Sequence, residues 1–144
     1  RLNARFREEH FMSTDQNPRP SVTARVKLTL HTGERFFGPG ICELLERIRN
    51  TGSIQAAAAE MEMSYTKAWR ILNRAEKEMG FDLITRVSGG RKGGSSKLTE
   101  AGEKAVADYR QMEARLTEFA ESLLKACEPS FMPRESRAAQ DRPM

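Results

Sequence analysis

Histidine and cysteine each occur only twice in this 144-residue chain. His10 and His31 leave almost no material for a histidine metal site or a catalytic triad, and no paired nucleophile and base stands elsewhere. An enzyme is therefore set aside, and no metal or cofactor is expected in this chain. Cys42 and Cys127 lack a CxxC spacing and fall in helical patterns, so both read as buried reduced thiols. Long apolar runs are missing too. Nothing approaches the roughly 18 residues of a membrane span, and no charged-then-apolar signal opens the chain. The expected location is cytoplasmic, with no membrane partner. Apolar periodicity is also absent at the ends. Residues 1–23 and 128–144 are polar, proline-containing and aperiodic, which predicts disordered tails. Met12 is a candidate start, with residues 1–11 as upstream sequence.

What remains, from Ala24 to Cys127, holds apolar residues for one modest core. The formal net charge is +4, a weak hint of an anionic partner, but its distribution says more. From Ser64 to Lys97 eight basic residues face three acidic ones, whereas Leu98 to Cys127 has four basic and six acidic. The positive charge sits in one middle segment.

The stretch "RVKLTLHTGERFFGPG" alternates Val26, Leu28 and Leu30 with polar residues, and Thr32-Gly33 is a turn signal. A small β-hairpin is predicted there. Pro39 suits a first helical turn, and Ile41, Leu44, Leu45 and Ile48 then mark one apolar helix face. Gly52 ends that helix, and Ser53 caps a short, alanine-rich second one carrying Ile54, Ala57, Ala58 and Met61. Ser64 is the N-cap of a third helix, Tyr65 to Met79, which Gly80 stops. "FDLITRV" reads as a short strand, and a return strand leads to Thr99, the cap of a long last helix. Along it Ala105, Tyr109, Met112, Leu116, Phe119 and Leu123 step by 4 and 3, a heptad seam suited to a second copy.

On the third helix Ala68, Ile71, Leu72, Ala75 and Met79 fall on one face. Thr66, Lys67, Arg70, Asn73, Arg74 and Lys77 fall on the other, with Tyr65 and Trp69 at the boundary. Such a face is by default merely solvated. This one, however, carries four cations and no acid, where a solvated face usually mixes signs. A short, small-residue helix precedes it across a three-residue turn, which is helix-turn-helix geometry. Arginine and lysine suit guanine edges and phosphates, and asparagine suits adenine. Trp69 reads as a core edge, and Tyr65 as within reach of a phosphate or a thymine methyl.

The segment "RVSGGRKGGSS" sets Arg91 and Lys92 among glycines and serines. A phosphate-binding Walker loop would need a lysine after Gly94, where Ser95 stands, and a dinucleotide fingerprint would need a helix directly after the loop. A linker fits poorly between a strand and a capped helix. A basic hairpin tip after a helix-turn-helix is instead the wing of a winged helix, able to approach a DNA backbone closely.

Several separated motifs then occur in order. Gly52, Ser53, Ile54, Ala57, Ala58, Ser64, Tyr65, Ala68 and Trp69 follow the pattern GSIxxAAxxxxxSYxxAW. Gly89 to Gly94 give a GG-basic-GG wing, and Leu98, Thr99 and Gly102 give LTxxG. Over Ala24 to Cys127 the chain resembles the N-terminal DNA-binding domain of the ModE family of molybdate-responsive regulators, itself related to the winged helix of LysR-type regulators. Glu62 departs from the family's glycine in the turn, so a left-handed backbone there would carry strain.

The resemblance implies a mainly α, α+β winged helix-turn-helix over 24–98 and a dimerisation helix over 99–127. It implies DNA binding and a molybdenum-related regulon. Together with the heptad seam, the expectation is a dimeric repressor of molybdate transport or molybdenum-related genes on a palindromic operator in double-stranded DNA. Full-length members continue into molybdate-binding domains, which residues 128–144 are not expected to form. The expected DNA contacts are Ser64, Tyr65, Thr66, Lys67, Arg70, Asn73 and Arg74 on the recognition helix. Arg86, Arg91, Lys92, Ser95 and Lys97 are expected from the wing, with Ser53 and Gln55 from the preceding helix. The alternative is a winged helix that dimerises with another regulator and does not bind DNA.

Overall fold

The computed structural model describes residues 21–87, 89 and 94–131, of which Glu128 and Pro129 are described for backbone only. Residues Ala24–Ala126 form one compact unit. It opens with strand β1 (Leu30–Thr32) paired antiparallel to β2 (Glu34–Phe37) across Gly33, whose φ of 99° only glycine adopts readily. The strand alternation noted from Val26 is paired only from Leu30 onward, and Val26 itself is exposed.

Helix α1 (Pro39–Thr51) starts with proline in its first turn and buries Ile41, Leu44, Leu45 and Ile48. Gly52, at φ 70°, closes it by donating its N–H to Ile48 O at 2.7 Å. Helix α2 (Ile54–Glu60) is capped by the Ser53 hydroxyl, which accepts from Ala56 N at 3.2 Å. Its buried Ala57 and Ala58 are small enough to let α2 lie close against its neighbours. The turn to α3 (Tyr65–Met79) passes through Glu62 at φ 55°, a left-handed backbone on a residue with a Cβ. Met63 N donates to Ala58 O at 3.0 Å and tightens that turn. Ser64 Oγ then accepts from Lys67 N at 3.1 Å, and Gly80 ends α3 at φ 79°.

The second hairpin pairs β3 (Ile84–Val87) with β4 (Ser95–Leu98), Ile84 opposite Leu98 and Val87 opposite Ser95. It is stitched to the helices by the backbone, Ser96 N donating to Gly52 O at 2.8 Å. Three helices with this hairpin behind the third make a winged helix-turn-helix. The core runs from Phe37 through α1, α2 and α3 to Leu83, Ile84, Val106 and Tyr109.

Helix α4 (Glu100–Phe131) continues past the boundary expected at 127, and Cys127, expected buried, is exposed. Its entry is held tightly. Thr99 N donates to Leu83 O at 3.0 Å, and Thr99 Oγ1 donates to Asp82 O and accepts from Gly102 N. A Cβ on Gly102 would land on the Leu83 carbonyl, which is the reason for glycine in the LTxxG motif. Farther along, Arg110 Nε reaches Glu46 Oε1 of α1 at 2.9 Å, and Arg110 Nη1 reaches Glu113 at 2.8 Å. Tyr109, expected in the intermolecular seam, is instead 2% exposed inside its own domain. Its hydroxyl donates to Leu28 O at 2.8 Å and its ring lies 5.3 Å from that of Phe37. A buried phenol with a satisfied hydroxyl is core, and the exposed part of that apolar stripe begins one step later, at Met112.

Candidate nucleic-acid interface

The outward side of α3 is set by the Ser64 cap at one end and by the burial of Ala68, Leu72 and Ala75 on the other side. That burial turns Thr66, Lys67 and Arg70 to solvent near the N-terminal half, beside an exposed Ser64 and a Tyr65 that is 51% exposed. Lys67 and Arg70 make no ion pair among the described residues. An uncommitted cation on an exposed helix face retains its full capacity for a phosphate or a guanine edge.

Further along, the expected contacts are differently engaged. Arg74 is ion-paired with Glu34 of β2. Asn73 is half-buried, and its Oδ1 accepts from Arg86 Nη2 at 3.3 Å. The same Arg86 nitrogen reaches Glu76 Oε1 at 3.1 Å, and the guanidinium carbon sits 5.4 Å from the centre of the Trp69 ring. Glu76 is well sheltered, its side chain 10% exposed, and its second oxygen accepts from Leu83 N at 3.1 Å. Arg86 was expected to serve DNA from the wing. The structure commits much of it to α3 instead.

Between the start of α2 and the wing lies an open polar cleft of about 530 Å³, which brings together Ser53, Gln55, Tyr65, Arg86 and Ser95. Five expected contacts from four elements, α2, α3, β3 and β4, therefore line one concavity. Lys97 is exposed on β4 but does not line it. Arg91 and Lys92 lie outside the described residues. The acid that organises the α3–wing junction, Glu76, was missed in the sequence. Its signal was the stripe Trp69, Asn73, Glu76 at helical spacing, opposite an arginine on the next strand.

Among the described residues no helix is long and apolar enough to cross a membrane. Residues 42–103 match the family model described as bacterial regulatory helix-turn-helix protein, lysR family. The chain is 36% identical over 98 residues to the molybdenum transport protein ModE of Herbaspirillum seropedicae, covering 68% of this chain and 35% of that protein. It is 32% identical over 89 residues to the DNA-binding transcriptional dual regulator ModE of Escherichia coli strain K12, covering 61% of this chain and 34% of that one. The chain thus spans about a third of the length of these relatives. Among solved structures it is similar to a CbnR DNA-binding domain in complex with DNA, with a TM-score of 0.46 and 20% identity over 62% of this chain and 95% of that one.

Proposed function

Residues 42–103 being a LysR-type helix-turn-helix domain, we propose that the chain is a sequence-specific DNA-binding transcriptional regulator of molybdenum-related genes, acting as a dimeric repressor on a palindromic operator. The observation that carries the proposal is the exposed, acid-free N-terminal half of α3, which bears Lys67 and Arg70 and whose Tyr65 lines a polar cleft. Helix α3 enters the major groove with its first turns foremost, where Thr66, Lys67 and Arg70 meet base edges. Ser53, Gln55, Tyr65 and Ser95 hold the flanking phosphates and so set the register without reading sequence. Arg91 and Lys92 of the wing tip add sequence-independent attraction to the backbone.

Pairing through α4 supplies the two-fold symmetry of the operator. Met112, Leu116, Phe119 and Leu123 are exposed at 44, 37, 63 and 53% along one stripe of α4. The stripe runs into an apolar cleft of about 450 Å³ lined by Leu30, Phe81, Ala105 and Met112 among others. An apolar stripe and cleft of this extent support burial against a second copy.

The test is a footprint on the region upstream of the chain's own gene, with affinity measured there and on random-sequence duplex at several salt concentrations. Two protected half-sites, a steep salt dependence and a clear preference for the upstream region are expected. Salt-insensitive or absent binding would leave the protein-interaction module as the better reading.

A further inference from the structure

The stripe Trp69, Asn73 and Glu76 on α3 and the Arg86 side chain on β3 form one closed arrangement. One guanidinium nitrogen serves both Asn73 Oδ1 and Glu76 Oε1, at 3.3 and 3.1 Å, while the guanidinium lies over the indole. Glu76 is fixed in turn by the Leu83 backbone N–H. A guanidinium has only donors, so the oxygen of the Asn73 amide must be the atom that faces it. The amide nitrogen, with its two N–H donors, is then the end left over. Reading adenine takes both ends of the amide in one plane, oxygen accepting from N6 and nitrogen donating to N7. The Asn73 oxygen keeps a second lone pair, but the Arg86 cation held against it opposes the approach of the adenine N6 donor. The amide is therefore presented by its donor end, which suits an acceptor edge such as guanine O6 and N7.

We infer that Arg86 is a positioning residue: it pins the wing to the recognition helix and orients Asn73 so that its amide selects guanine over adenine. The inference rests on the DNA-binding reading of α3 and specifies which edge this asparagine recognises. It also changes the assignment of Arg86, whose charge serves the junction between two elements and not a phosphate.

Wild type, Arg86→Gln, Arg86→Lys, Glu76→Gln and Asn73→Ala are to be compared on a duplex pool with a randomised centre. Salt slopes on selected and random DNA, and the emission of Trp69, the single tryptophan, are measured in parallel. Asn73→Ala marks the base position the amide reads, and wild type should prefer guanine there. Arg86→Gln should shift that preference toward adenine by roughly five-fold or more, leave the salt slope unchanged and alter Trp69 emission. Arg86→Lys should not restore guanine preference, because a point charge cannot hold the amide and the carboxylate while covering the ring. Glu76→Gln keeps an acceptor for Leu83 N and should produce the same base shift, which covers the case of an Arg86 variant that fails to fold. A salt slope lowered by about one unit on both DNAs with base preference intact would make Arg86 a phosphate contact and overturn the inference. So would an adenine preference in wild type, or an Asn73→Ala variant with an unaltered base profile. Absence of any salt-dependent DNA binding by wild type would instead remove the regulator reading beneath it.

Discussion

Two single residues show how closely the elements meet. At Gly102 the first turn of α4 lies on the Leu83 carbonyl, which also accepts the Thr99 N–H. Helix propensity alone favours alanine over glycine by about 1 kcal/mol. The added Cβ meets backbone that cannot swing aside without losing the Thr99 bond, and overpacking of this kind costs about 1–3 kcal/mol. Gly102→Ala should therefore lower stability, by up to about 2 kcal/mol in denaturant unfolding, despite the better helix former. Cys42 provides a pH test. Burial is the main cause that pushes its thiol up to about 12 from an ordinary 9.0. The folded protein thus holds this proton more tightly than the unfolded chain. The associated stability is complete below about pH 9 and is lost as pH rises from there toward 12. The stability difference between wild type and Cys42→Ala should shrink over that window. With an aromatic disulfide reagent near neutral pH, Cys127 should react as an exposed thiol and Cys42 only on unfolding, its thiolate being scarcer by a factor of roughly 10³.

Helix α3 is the element on which the proposed function turns. Replacing Lys67 or Arg70 by alanine removes an exposed cation from the half proposed to meet base edges, with no ion pair to lose among the described residues. Each change should cost about 1–3 kcal/mol of operator affinity and relax discrimination while leaving unfolding unchanged, as titration against specific and random duplexes would measure. Unaltered affinity and discrimination would reduce the face to a solvated one. The limits of α1, α2 and α3 were legible in the sequence because their signals are local. Ser53 and Ser64 cap, and Gly52 and Gly80 adopt left-handed backbone, whatever lies further away. Tyr109 was not legible, because a 4–3 spacing is the same whether the helix packs on its own domain or on a second copy. Only the position of Leu28, far back in the chain, settles which. Arg86 and Arg74 likewise read as free cations until the fold brings Glu76 and Glu34 beside them. The β1 start failed for the opposite reason: alternation was present from Val26, but a partner strand of four residues pairs only with Leu30 onward.

For the whole molecule, the proposed dimer stands on α4. Burying each seam side chain is worth about 1.5–3 kcal/mol, so Leu116→Asp combined with Phe119→Asp should yield monomers in sedimentation. Operator binding should fall sharply in that variant, whereas binding to random DNA should change less, since each winged helix keeps its own face. A double variant that still sediments as a dimer would place the interface elsewhere. The anchoring of Tyr109 has a further bearing on this assembly. Because the phenol fastens α4 to the domain and Arg110 braces it to α1, the stretch from 110 to 126 leaves the core as a rod of about 25 Å at 1.5 Å per residue. In the proposed dimer, two such rods joined along their seams would act as a ruler with heptad graduations. Each slip by one heptad moves the two reading heads by about 10 Å, close to three base pairs of duplex. The choice of which apolar residues interlock is then also a choice of operator length, and spacing along DNA becomes a quantity written in helix register.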